Sequence, residues 1–544
     1  MNTRWRKILK ISYALLLFLT TAISCDPKRC EVPPGPRVDW HTCNKKEGNF
    51  EGQDFTEATM YGIKFQRALL SKADFTSADL TDANFSDADL REAIFTSSNL
   101  SDSDLTDADL RGANFTWTDL SDTDLCGAKL HDSIIGDNTI VDHKWKLVWE
   151  IINEPDPKRD LSTEDISCAD ISNSNLSKAI LYSSDLRKAN LSGVDLSSAD
   201  LSLAIFEDSI KDFDTAFSEK WGLVWEIINE ESSSWNLQGL DLSYAYLSGA
   251  FLEYANLTET NLQGANLNNA ELDYSILKGA ILNDETEIDE KWILVRDIQT
   301  DGGDNSDISN KDLSYSDFSE VSFTKSTMGN VSFESSELIR ANFTSAVLTK
   351  VDFTEAILTD ANFCDADLTL PKFHNAEITD AVLSEKWITV REIATYGASE
   401  KDLSDKDLSY ANLSNVDFSE AKLEKTDLSG ADLTDSDFTL TSFHGAILDN
   451  ETVIDDKWKL VWEIVNQGVA GDELKDVDLS SSDLSKTDFQ FTVFTNVNLD
   501  YSIFIDADFR GADLCGATVD EEILKEQAKS IEGAKLPSSH ECEE

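Results

Sequence analysis

The chain has 544 residues, in which 46 lysines and arginines stand against 103 aspartates and glutamates, for a formal net charge of −57. That balance excludes a basic nucleic-acid-binding surface, because holding phosphates takes clusters of Lys and Arg. Length alone predicts several domains, unless the chain is a repeat that grows along one axis.

The N-terminus reads as an address. Arg4, Arg6, Lys7 and Lys10 precede an apolar run from Ile11 to Ile23, which is short for a membrane span and suits a signal peptide over 1–24. Ala22-Ile23-Ser24 is a small-x-small cleavage site placed immediately before Cys25. Leu19 to Cys25 also resembles a loose bacterial lipobox, with Ala22 where Leu is preferred, and this predicts lipidation of Cys25. A retained N-terminal anchor is the alternative for the same run. Residues 25–49, with Pro27, Pro33, Pro34 and Pro36, read as a tether without repeats. Cys30 and Cys43 are close there and are candidates for a disulfide after export. Cys126, Cys168, Cys364 and Cys515 are far apart and are expected to be isolated thiols, and no Cys/His spacing suggests zinc.

From Ala73 to Leu130 a large apolar residue returns at every fifth position: Phe75, Leu80, Phe85, Leu90, Phe95 and onward to Leu130. A small residue stands two before each, and Asp or Asn usually stands between them. Five is the period of neither a helix nor a strand. The small and large residues are two apart, so they share one side of a short extended segment, and the residue between them points outward. The next two positions, rich in Ser, Thr, Asp and Gly, suit a turn. A chain that runs straight for a few residues and then turns, without drift, winds around an axis and buries its apolar side by stacking coils. Outward carboxylates such as Asp79, Asp89, Asp104, Asp109 and Asp119 are then expected in columns.

This A(D/N)LXX tandem resembles the pentapeptide-repeat proteins over most of 50–519. The resemblance implies an all-β solenoid, a right-handed quadrilateral parallel β-helix with four repeats per coil. At roughly 4.8 Å per coil, the rod would be on the order of 90 Å long.

The repeats are expected over 50–135, 161–211, 237–282, 308–378, 403–448 and 474–519. Between them, over 136–160, 212–236, 283–307, 379–402 and 449–473, a different pattern recurs five times. In the first copy Trp145, Val148, Trp149 and Ile152 have helical spacing, with Asp142 as N-cap and Pro155 as the stop. The tryptophans align as Trp145, Trp221, Trp292, Trp387 and Trp458, joined in three copies by Trp149, Trp225 and Trp462 and replaced at that position by Arg296 and Arg391 in the others. These Trp are assigned to packing each helix on the side of one continuous rod, the Arg stems covering the same surface at its rim. The blocks differ by whole pentapeptides, apart from a one-residue slip before Trp387. Trp117, at an outward position, and Trp235, just ahead of the third block, are better candidates for surface contacts than the insert tryptophans. Over 520–544 a helix is expected to cover the last coil's open edge.

No catalytic, cofactor or metal site is expected. The six histidines form no metal or nucleophile motif, and phosphate-binding and nucleophile-elbow patterns are absent. A rod filled with its own Leu and Phe offers no substrate pocket. The reading is a non-catalytic acidic scaffold for protein partners in the cell envelope, with no nucleic acid and no small-molecule substrate, held to the membrane by a lipid anchor or an uncleaved signal. The alternatives are a Ca²⁺-dependent envelope protein and, from the family resemblance and only in the cytoplasm, a DNA mimic that binds a type II topoisomerase.

Overall fold

The computed structural model describes residues 28–230, 232 and 234–542. The signal-peptide run and Cys25 lie outside them. Along the regular part of each block, outward residues pair in parallel with the residue twenty positions on: Asp39 with Thr59, Thr59 with Asp79, Asp79 with Asn99. With five residues per side, that return makes four sides to a coil. Each side ends in a turn closed by an i to i+3 bond, such as Ala78 N–H to Phe75 O at 2.9 Å. The residue before the bond closes stands in the left-handed region, as Ser77 does at φ 57. The inter-coil ladder and the packed interior offset the strain of that conformation for a residue with a Cβ.

The interior holds the predicted pair. Phe75, Leu80, Phe85, Leu90 and their small partners Ala73, Ala78, Ala83 and Ala88 are all buried. Coil stacking aligns the phenylalanines, so Phe55, Phe75, Phe95 and Phe115 form a column with ring centroids 5.2, 5.0 and 5.2 Å apart. At several inward positions held by Ser or Thr the hydroxyl donates to a carbonyl inside, as Thr118 Oγ1 does to Phe95 O at 2.7 Å, whereas the buried hydroxyls of Ser103, Ser174 and Ser275 make no hydrogen bond among the described residues. Burial without such a partner would cost about 1–3 kcal/mol.

Five helices interrupt the coils: α1 (His143–Asn153), α2 (Glu219–Asn229), α3 (Glu290–Asp301), α4 (Glu385–Tyr396) and α5 (Asp456–Gln467). Asp142 occupies the N-cap of α1, but its side chain makes no cap bond. The helices are not laid on the side of an unbroken rod. At each junction a corner N–H of one coil donates directly to a corner carbonyl two coils further along the chain: Gly127 to Cys168, Leu203 to Tyr244, Tyr274 to Tyr315, Leu370 to Tyr410 and Leu440 to Ser481. The helix takes the place of most of the coil between. It lies over the open interior below, which is what buries Trp145, Val148 and Ile151.

The one-residue slip also has a cause. Before α1, α2, α3 and α5 the last side is one residue longer, pairing Asp119 with Ile140, Asp195 with Ala216, Asn266 with Glu287 and Asp432 with Val453. Before α4 that side is regular, and Asn362 pairs with Val382.

Three expectations are corrected at the ends and among the cysteines. The coils begin at Asp39, inside the segment read as a tether, because Val38, Trp40 and Cys43 fill inward positions without the usual composition. At the other end α6 is short, Glu521–Gln527. Beyond it the chain resumes the ladder, pairing Ser530 with Asp508 and Lys535 with Asp513. Cys30 is bonded to Cys43, but Cys126 is also bonded to Cys168 and Cys515 to Cys542, which leaves Cys364 exposed and free. Sequence distance misled here, since winding superposes corners that are far apart in the chain. Alkylating the unfolded, unreduced chain is therefore expected to label Cys364 alone among these seven. Labels on Cys126 or Cys168 in that peptide map would refute the pairing.

Candidate functional site at the helical junctions

Along the blocks, the outward carboxylates are engaged in their own turns. Asp79, Asp89, Asp104, Asp109 and Asp119 each accept the backbone N–H two residues on, at 3.0–3.3 Å. The expected columns are mixed rather than purely acidic: Asp79 is followed by Asn99 and then Asp119, and Asp89 and Asp109 carry Arg91 and Arg111 on their carboxylates. Among the described residues no group of His, Cys, Asp and Glu is arranged to hold a metal ion. Nor is any described helix long and apolar enough to cross a membrane.

Irregular surface lies at the junctions. Five clefts of about 250–500 Å³ all border one, for example beside Cys126 and Cys168, beside Leu370 and Asn412, and beside Gln299 and Asp317. Replacing a coil by a helix strands the polar edge of the coil below, and helix side chains satisfy it. Trp149 Nε1 donates to Ser133 O at 2.9 Å, Trp225 Nε1 to Ser209 Oγ at 2.9 Å and Trp462 Nε1 to Ala446 O at 2.7 Å. In α4, Arg391 Nε takes the same bond, to Ala376 O at 2.7 Å. The Arg head is therefore engaged at this junction rather than left in water at the rim. In α3, Arg296 Nε has no such partner, and Gln299 bridges the two coils instead, donating to Ser275 O and Asp317 O. Trp145, Trp221, Trp292, Trp387 and Trp458 are buried in every copy. Trp117 is 59% exposed at its corner, whereas Trp235 is packed against the core.

Two further sets of residues make the junction, and neither was expected. In four of the five helices, two turns after the first Trp, a polar residue accepts a stranded corner N–H from below: Asn153 from Asp132, Thr300 from Gly279, Thr395 from Asn375 and Asn466 from Gly445, at 2.6–2.9 Å. Just before each first Trp, a lysine reaches the coil above. Lys144 pairs with Asp165 and Ser167, Lys220 with Asp241 and Ser243, Lys291 with Asp312 and Ser314, Lys386 with Asp407 and Ser409, and Lys457 with Asp478 and Ser480. Each ammonium also stands 4.7–4.9 Å from the centroid of its own Trp ring. The visible signal was Lys-Trp in all five inserts with Asp-(Leu/Ile)-Ser downstream of each.

Burial alone would raise Asp407, but the hydroxyl and N–H of Ser409 and the Lys386 ammonium outweigh it and hold the carboxyl below its ordinary value. A carboxyl lowered on folding stabilises above its unfolded pKa of about 3.9 and loses that contribution as pH falls through the lower folded value. The pair is screened, with Asp407 59% exposed, so it is worth about 0.5–1 kcal/mol. The stability difference between the native chain and Asp407→Asn is expected to be constant above about pH 5 and to shrink progressively as pH falls from the unfolded value through the lower folded one. Urea midpoints at each pH check this, and a difference that persists in acid would refute it.

The family described as pentapeptide repeats (8 copies) matches more than half of the chain, over 60–135, 165–208, 236–284, 316–384, 402–450 and 473–519. No curated protein matches. Among solved structures, a pentapeptide repeat protein from the thylakoid lumen of Arabidopsis thaliana is 31% identical, covering 22% of this chain and 79% of its own, with a TM-score of 0.20. HetL, a pentapeptide repeat protein involved in heterocyst differentiation regulation in the cyanobacterium Nostoc sp. strain PCC 7120, is 18% identical, with coverages of 64% and 93% and a TM-score of 0.11. QnrB1, a plasmid-mediated fluoroquinolone resistance protein, is 16% identical, with coverages of 48% and 95% and a TM-score of 0.17. On the family match, and with four five-residue sides to each coil, the chain belongs to the pentapeptide-repeat family of right-handed quadrilateral β-helices.

Proposed function

We propose that the chain is a non-catalytic, acidic, rod-like scaffold that presents its outer surface to protein partners, exported and held to a membrane by lipid on Cys25. The filled interior carries this reading. Side chains of the chain itself occupy the axis from Trp40 to Leu514, so what the molecule offers a partner is its faces, corners and junction clefts. The compartment is supported separately by the three disulfides, which persist in oxidising surroundings.

The test is mass spectrometry of the mature N-terminus with cell fractionation, comparing the native chain with Cys25→Ala, followed by cross-linking in intact cells. The expected result is an acylated Cys25 in the membrane fraction, release of the variant, and a protein cross-linked to the rod. An unprocessed Met1 in a soluble cytoplasmic fraction would overturn the placement. It would favour the second reading, a DNA mimic that binds a type II topoisomerase, for which the net charge of −57 speaks.

A further inference from the structure

One corner of the rod carries three tyrosines in a column that crosses the α3 junction. Tyr254 and Tyr274 stack with ring centroids 4.8 Å apart and planes at 7°, and Tyr315 meets Tyr274 edge-on at 6.4 Å. The backbone fixes this order, since Tyr274 N–H donates to Tyr315 O across the junction. Tyr254 is 46% and Tyr315 39% exposed. Their chemistry differs from that of the other junction tyrosines. Tyr244 lies against Gly264, where an added Cβ would come within 2.4 Å of the ring, and donates its hydroxyl to Glu285 at 3.1 Å. Tyr410 lies against Gly430 in the same way. In contrast, the hydroxyls of Tyr254, Tyr274 and Tyr315 have no hydrogen-bond partner among the described residues.

We propose that the column Tyr254–Tyr274–Tyr315, flanked by the carboxylates of Asp273 and Glu337, is the docking site for a lysine- or arginine-bearing segment of a protein partner. This rests on the scaffold reading and locates its contact. A cation over tyrosine faces is attracted by the ring quadrupole, and more so where water is partly excluded. The molecule already makes one such contact, for the Lys291 ammonium lies 5.9 Å from the Tyr315 centroid at one end of the column. Among the described residues no cation lies over the ring at the Tyr254 end.

The flanking acids are unlike the rest of the rod. Asp54, Asp307 and Asp402, at outward positions, are held down by the N–H and hydroxyl groups of their own turns. Asp273, in the turn beside Tyr274, and Glu337 accept no such bond among the described residues, and burial pushes both up from their ordinary values, at Asp273 against the pull of the Lys291 ammonium. Burial, then Tyr254 and Asp273, push Tyr274 up to about 12. Carboxylates that accept no turn hydrogen bond, beside exposed aromatic faces on a chain of net charge −57, complement a cationic side chain and repel an anionic one.

The probe is a fluorescein-labelled octapeptide with four arginines, with the same peptide carrying citrulline for arginine as control, titrated against the full chain by anisotropy at physiological salt. Tyr254→Leu/Tyr274→Leu and, separately, Asp273→Asn/Glu337→Gln are each expected to weaken the arginine peptide about fivefold or more. The comparison pair Tyr244→Leu/Tyr410→Leu should change it less than about twofold. Equal losses in both tyrosine pairs, or none in either, would mean that the rod's overall field binds the peptide and would overturn the proposal. Equal binding of the citrulline peptide would overturn it as well. If the tyrosine variant does not fold, the carboxylate pair, which is isosteric, carries the same test. The scaffold reading is judged independently, by the cross-linked partner in cells, so the two can fail separately.

Discussion

Replacing Phe343 by alanine is expected to destabilise its block by about 3–5 kcal/mol. Phe343 is fully buried in the middle of a run of aromatic packing from Phe318 to Trp387. Its ring stacks on Phe323 at 5.1 Å and Phe363 at 4.8 Å and meets Phe333 and Phe353 edge-on. The vacancy is hard to close, because the ladder fixes the spacing of the coils above and below: Phe343 N–H donates to Asn362 O at 2.7 Å and Phe323 N–H to Asn342 O at 2.8 Å. Sites that cannot collapse sit at the costly end of the range for large-to-small changes. A long repeat array need not unfold in one step, so the measurement is amide exchange over 318–363. The expected result is strong loss of protection there, with little change in the block at 55–115. A loss spread evenly over all blocks would show that the rod unfolds as a single unit.

What was legible in the sequence was whatever repeats. The return of Phe or Leu every fifth residue, with Ala two before it, marked the inward pair, and the structure buries both. Four-sidedness was not readable from period five, since nothing in Ala-Asp-Leu-Thr-Asp says after how many sides the chain meets itself; the bridge from Asp79 to Asn99 does. The start of the rod was missed because Val38, Trp40 and Cys43 point inward without the Ala-Asp-Leu composition, so spacing survives where residue type does not. The Cys126–Cys168 bond was hidden because it joins two corners brought together only once α1 has replaced a coil. The junction lysines were invisible for another reason. A polar residue in a polar background carries no signal in one copy, and only the alignment of Lys144, Lys220, Lys291, Lys386 and Lys457 against their downstream Asp and Ser isolates them.

Replacing Trp458 by alanine is expected to cost about 3–5 kcal/mol locally and to uncouple the blocks on either side of α5. Coupling in a stacked repeat is a nearest-neighbour quantity, and here the neighbours touch through few bonds. Leu440 N–H reaches Ser481 O at 2.8 Å, His444 Nε2 bonds Ser485 O at 2.7 Å, and the helix adds further links between the two coils. Downward, Trp458 packs on Phe438 at 6.0 Å, Trp462 bonds Ala446, and Asn466 bonds both Phe443 O and Gly445 N–H. Upward, Lys457 clamps Asp478 and Ser480 while lying over the Trp458 ring. Removing that ring loses the interior contact and the surface that holds the lysine, so both attachments weaken together. Calorimetry and amide exchange are then expected to show 403–448 and 474–519 melting apart where the native chain melts them together. Lys457→Met, which keeps a long apolar stem over the ring, should weaken only the upper clamp, by about 0.5–1 kcal/mol, and leave the blocks coupled. If the tryptophan variant still melts both blocks together, the corner bond and the chain connection suffice, and the helices are spacers rather than couplers.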